Sequence, residues 1–320
     1  MNLLLLAITI LCPIHRAVAM SGPRQQSQAS AQTTAPQSPF AGLIAEYLRR
    51  DANGHSPTAE EISAMDSLQP PPDAASISEA MPYLLKALAN PDVPMRTFAL
   101  TALSGMQSPV AESATGDGNL KPNMPAHFKA DTSKVLTPFI PQIAAHLTSE
   151  EGKENRLLVA AILGGFTPNP PAAVYSPLLA YLKRDDAISP VGLAVVSDLI
   201  QLGPVNEEAA AAITRYIRRS DHTADSRSNL ADTIASASSQ SQAVDRALLF
   251  YLDSDDSSLR ARVILSLPQL DMSPDVFADT KARIERIAID PSENLQVVTA
   301  AKSISACWTA PKMTSVCPVY

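Results

Sequence analysis

The sequence predicts an all-α chain, an α-solenoid of about seven antiparallel helix pairs, and three observations predict it. Aromatic residues are only 5% of the chain, a balance that suits close-packed helices of alanine and leucine better than sheets, which favour aromatic and β-branched residues. With 46% hydrophobic and 18% charged residues over 320 positions, the chain holds ample apolar material for a sizeable core. The third observation is a period. Twelve-residue windows beginning at residues 57, 92, 152, 188, 223, 256 and 293 follow one another at steps of 35, 60, 36, 35, 33 and 37, and in each the eighth, ninth and twelfth residues are apolar. Positions i, i+1 and i+4 share one side of an α-helix, so each window predicts a helix with a buried stripe.

Taken in order, residues 1–19, "MNLLLLAITILCPIHRAVA", join a short apolar run to a small-residue ending, which predicts a secretory signal peptide cleaved before Met20. No basic residue precedes the run, so an uncleaved anchor is the competing reading, although Leu3 to Ile14 is short for a bilayer span. A lipid-modified Cys12 is a third reading, set against Leu11 at a place where lipoprotein signals carry a small residue. Residues 20–39 hold no large apolar residue beyond Met20 and predict a disordered linker. The repeat domain is expected over 40–306. Ahead of each window runs a second amphipathic segment, among them "FAGLIAEYLRR", "ISEAMPYLLKALA" and "EEAAAAITRYIRR", so the unit is helix, turn, helix. Two such helices cannot bury their apolar faces alone, and stacking units side by side makes them stable. Pro82 and Pro141 lie inside first helices, where a proline costs about 3 kcal/mol unless the helix starts or kinks there. The long step places a loop insert at 107–133, read either as a flexible insertion or as a grip for a partner. Residues 307–320 form the C-terminal tail. Loss of the signal would leave Cys307 and Cys317 as an even pair in an exported chain, which reads as a disulfide; two free thiols or a redox pair are the alternatives.

Two units carry a resemblance. "LLKALANPDVPMRTFALTAL" and "YLDSDDSSLRARVILSL" look like HEAT repeats, in which an acidic turn precedes an arginine at the start of the second helix; Asp92 with Arg96 and Asp256 with Arg260 match that pattern. The other units match more loosely, with Gly192, Val297 and Glu61 at the arginine position in the fourth, seventh and first. The resemblance implies a HEAT-like, armadillo-like helical architecture and a kink at the first-helix prolines. It also implies a function of binding rather than catalysis.

Chemistry is sparse in the sequence. The net charge of −7, or −8 without Arg16 of the signal, disfavours nonspecific nucleic-acid binding. His55, His127, His146 and His222 are not at zinc-ligand spacing, and no nucleophile elbow or phosphate-cradling glycine loop occurs; no metal and no cofactor are expected. The aspartates of "DSDDSS" read as a helix-starting turn rather than a calcium loop, which would end on a glutamate. Arg96, Arg156, Arg227 and Arg260 share one phase and read either as structural partners of the acidic turns of their own or the next unit or as a basic stripe for an anionic ligand. Two positions beyond that arginine, Phe98 and Leu158 replace the small or polar residues of other units. They are read either as partly buried or, as the working hypothesis, as an inner-face patch that binds a protein or peptide, bordered by His127, Phe128 and Lys129 of the insert. The expected function is a non-catalytic protein-binding scaffold or adaptor in the periplasm or secreted space, with no transmembrane segment in the mature chain. The alternative is a helical-repeat lyase or hydrolase whose site is built from scattered acids and the insert loop.

Overall fold

Each of the seven windows contains a helix. The computed structural model describes residues 36–65, 72–107, 127–150, 152–167, 170–184, 186–187, 190–203, 205–236, 241–270 and 272–309. The expected signal peptide, the linker to residue 35, residues 108–126 of the insert and the tail from 310, with Cys317, lie outside the described residues. All described regular elements are helices, with no strand among the described residues.

The windows correspond to α2 (Ala59–Ala64), α4 (Val93–Ser104), α7 (Lys153–Gly164), α9 (Pro190–Gln201), α11 (Ala224–Ser236), α13 (Ser257–Ser266) and α15 (Leu295–Thr309). The segments before them form α1 (Pro39–Asp51), α3 (Ala74–Leu88), α5 (Ala130–Leu136) with α6 (Ile140–Ser149), α8 (Ala172–Leu182), α10 (Glu207–Ile217), α12 (Gln242–Leu248) and α14 (Pro274–Ile289). The stripe expected at the eighth, ninth and twelfth positions is buried throughout the last six windows, from Ala99, Leu100 and Leu103 in α4 to Ala300, Ala301 and Ile304 in α15. In the first window Met65 is buried, Ala64 is exposed, and Leu68 lies outside the described residues.

Local chemistry places the helix starts. Ser38, Asp73, Asn206 and Asp256 each accept backbone N–H groups of the first turn of α1, α3, α10 and α13. Thr58 and Glu61 form a reciprocal capping box on α2. Each cap satisfies donors the helix leaves orphaned, a contribution of about 1 kcal/mol apiece. Pro39, the last residue of the expected linker, is already the first of α1. Residues 130–133 of the expected insert are helical, because α5 docks on α3 and buries Leu136. At Pro141 the backbone resolves the conflict with helix geometry by restarting: a 3-10 turn at Thr137–Phe139 ends one helix and Pro141 sits in the first turn of α6. Pro82 is instead held inside α3.

Packing follows the order of the chain in two series. Along one, α2 packs on α4, α4 on α7, α7 on α9, α9 on α11, α11 on α13 and α13 on α15. Along the other, α1 packs on α3, α6 on α8, α8 on α10 and α10 on α12, while α3 with α4, α6 with α7, α8 with α9 and α14 with α15 join the two. Cys307 is buried near the end of α15 and engaged with a partner.

Gly192, at the position that carries arginine in other windows, explains the gap in that series. A Cβ there would lie 2.0 Å from the Ala187 carbonyl oxygen and 2.2 Å from the Tyr216 hydroxyl, and Tyr216 is fully buried. The tyrosine of α10 occupies the space an arginine stem would need. Gly192→Ala, which at an open helical site gains up to about 1 kcal/mol, is expected here to lose about 1–3 kcal/mol through overpacking. The urea unfolding midpoint measures it; a midpoint that rises contradicts this packing.

Candidate functional site

The register arginines reach into the turns rather than out to solvent. Arg96 on α4 donates to the carbonyls of Asn90 (3.0 Å) and Pro91 (2.9 Å) in its own turn and to the Glu150 carboxylate (2.8 and 3.2 Å) in the turn before α7. Arg156 on α7 donates to the Glu150 carbonyl at 2.7 Å and reaches Asp186, before α9, at 3.5 Å. Arg260 on α13 donates to the Ser254 carbonyl at 2.6 Å and pairs with Glu293, before α15. In all three cases the carbonyl lies six residues back and the carboxylate belongs to the following turn. Each arginine therefore ties one window helix to the next. Arg227 is half-buried on α11. The acids of the arginines' own turns do not pair with them: Asp256 caps α13, and Asp92 begins α4 without a side-chain cap bond, its Oδ2 buried and unpartnered.

Glu150 is the most heavily engaged of these acids. It is 2% exposed and also accepts from His146 Nδ1 at 2.8 Å and Asn155 Nδ2 at 3.2 Å. Burial pushes its carboxyl up, and the hydrogen bonds from Arg96, Asn155 and His146 outweigh burial, leaving it below the ordinary carboxylate value. His146 and Glu150 are thereby held in a structural node rather than aimed at a cavity.

Beyond the node, the window helices share a grooved face. A cavity of about 640 Å³ lies between α7 and α9, lined by Glu154, Leu157, Leu158 and Ala161 from the one and Ala194, Ser197, Asp198 and Gln201 from the other. A second, of about 1110 Å³, lies along α11, α13 and α15, with Ser228, Asp232, Ala261, Arg262, Thr299 and Ser303 among its walls. Counted from the start of each window, both draw on positions 3, 6, 7, 10, 11 and 14, the second also on 2, 4, 8 and 13, so the two share one side of the window helices. Arg262 pairs with Asp232 across the second cavity.

Asp198 sets the first cavity apart. Its carboxyl accepts no hydrogen bond, and its Oδ2 is buried; desolvation pushes its pKa well above the ordinary carboxylate value. Gly164 on α7 makes room for it, since a Cβ there would lie 2.4 Å from Oδ1. A folded-state value raised above the unfolded one means the folded chain holds the extra proton, so this contribution is fully present below about pH 4 and is lost as pH rises toward the raised value. Asp198→Asn is expected to be more stable than the wild type at pH 8, by about 1 kcal/mol or more, with the gap closing at pH 4; thermal melts at the two pH values measure it.

Of the residues expected to form a site, only Leu158 lies in this groove, half-buried in the first cavity. Phe98 is 0% exposed, its ring 4.3 Å from that of Tyr47, with the Arg50 guanidinium 4.8 Å from the Tyr47 centroid. It is core, not an exposed patch, because Tyr47 of α1 covers it. Phe128 is 3% exposed and packs edge-on against Phe166 at 5.1 Å, its N–H donating to the Gly165 carbonyl at 2.8 Å. It anchors the end of the insert and is not free to grip a partner. His127 is partly buried beside it, and Lys129 is exposed at the start of α5. Glu150 and Asp198 escaped the sequence reading; a lone acid in the apolar run "VGLAVVSDLI" was the available signal for Asp198.

No protein-family model matches the chain, and no curated protein matches it. No group of three or more His, Cys, Asp or Glu side chains placed to hold a metal ion occurs among the described residues, and no described helix is long and apolar enough to cross a membrane.

Proposed function

We propose that the chain is a HEAT-like α-solenoid of seven helix pairs that acts as an exported, non-catalytic scaffold, binding a protein partner along the face shared by its window helices. The observation that carries this reading is the groove: two cavities separated along the chain share six lining positions of the window, as a surface built by repetition would. Helix-on-next-helix packing in two series supports the solenoid. Export, and a Cys307–Cys317 bridge tying the tail to α15, rest on the signal-like start and the cysteine pair.

The enzyme alternative draws on the fact that Glu154 and Asp198 line the same cavity. Asp198 sits against Gly164, and the ten residues from Glu154 to Gly164 along α7 span about 15 Å. Paired-carboxylate hydrolysis works at separations of about 5–9.5 Å, so the spacing favours binding. Two variants test the scaffold. Thr299→Arg, at an exposed position in the groove, is expected to cut partner capture from the exported fraction about tenfold or more, and Arg286→Glu, exposed on α14, to leave it unchanged. Equal capture by both variants removes the groove as the binding face.

A further inference from the structure

The cavity between α7 and α9 joins apolar walls to one carboxyl with no partner. Leu157, Leu158, Ala161 and Ala194 supply the walls, and no lysine or arginine lines the cavity. The other polar groups there offer little relief: Gln201 donates to Ser197 at 2.9 Å, and Glu154 adds a second acid. An acid held this way in a chain of net charge −7 lacks a cation. Asp198 is half-buried, and a ligand that brings a cation gains an ion pair beside apolar walls, where such a pair is stronger than between fully solvated charges. The volume of about 640 Å³ falls in the range of ordinary ligand sites. A long basic side chain fits this chemistry, because its methylene stem covers apolar surface while its charged head reaches a polar partner.

We infer that the α7–α9 cavity takes a lysine or arginine side chain of the bound partner, the stem lying along Leu157 and Leu158 and the cationic head on the carboxyl of Asp198. This rests on the scaffold reading and names the chemistry of its partner: a segment presenting a basic residue between apolar neighbours. Gly164 belongs to the site as the residue that lets the carboxyl sit between the helices, since any side chain there would collide with it.

The test uses the full chain and two peptides, acetyl-Gly-Leu-Lys-Leu-Gly-amide and the same peptide with norleucine for lysine, titrated by calorimetry at pH 7. The lysine peptide is expected to bind about tenfold or more tighter than the norleucine peptide, the scale of a close interfacial charge pair worth about 1.5 kcal/mol. Asp198→Asn, which replaces the acid with a neutral group of the same shape, is expected to bring the two peptides within about twofold of each other. Ala161→Phe, at an exposed position on the cavity wall, is expected to weaken both. Equal binding of the two peptides by the wild type overturns the inference and leaves the groove reading standing, since Thr299→Arg tests that reading independently. Retained lysine preference in Asp198→Asn also overturns it, as does failure of the wild type to bind either peptide.

Discussion

Glu150→Ala is expected to destabilise the chain by about 3–5 kcal/mol, the effect of leaving a buried charge without its partner. The Arg96 side chain is 16% exposed and Glu150 2%. Removing the carboxylate strands the guanidinium between α4 and α7 and leaves His146 and Asn155 without the oxygen each reaches. The Arg156 bond is spared, because it goes to the backbone carbonyl of residue 150. A melting temperature lower by roughly 10 °C is the readout. Arg96→Ala should lose less, since the carboxylate it leaves behind keeps two donors. Because Glu150 sits below its ordinary value when folded, its contribution is present above about pH 4.5 and is lost as pH falls. Glu150→Gln should therefore flatten the acid limb of the stability curve. A change under about 1 kcal/mol for Glu150→Ala would mean that the node is not what joins these two helices.

Phe98→Ala is expected to cost about 3–5 kcal/mol, as a large ring removed from a closed core leaves a cavity the neighbours fill only in part. Tyr47 would lose its ring partner, and the α1–α4 contact would loosen. Partner capture measured well below the melting temperature should be unchanged. The opposite pair of results, an unaltered melt with lost capture, would restore Phe98 as a contact residue. Phe98→Leu, which keeps most of the volume, should lose under about 2 kcal/mol.

Much of this molecule was legible one helix at a time. The apolar triplet at positions 8, 9 and 12 places the buried stripe of six window helices, because a helix repeats every 3.6 residues whatever it packs against. One helix start was read as well, since Asp256 of "DSDDSS" satisfies backbone donors of the first turn of α13. The candidate site was less legible. Phe98 and Leu158 occupy the same repeat position, yet one is sealed under Tyr47 and the other opens onto a cavity. Nothing within either helix distinguishes them, because the difference lies in what the preceding unit supplies. Phe128 likewise looked like loop material until Phe166 and the Gly165 carbonyl gave it a seat.

The same division separates what each level decided. The sequence by itself determined the all-helical class, the phase of the repeat, the order of the helices and the apolar face of each, all of which follow from interactions spanning one or two turns. Only the tertiary structure decided which acid each arginine meets, why glycine stands at position 192, which aromatic rings are core, and that the Asp198 carboxyl faces a cavity alone. Those outcomes depend on residues 24 to 54 positions apart in the chain, from Gly192 and Tyr216 to Arg96 and Glu150. Periodicity records how a helix is built, whereas partners across helices are set by packing that no single window contains.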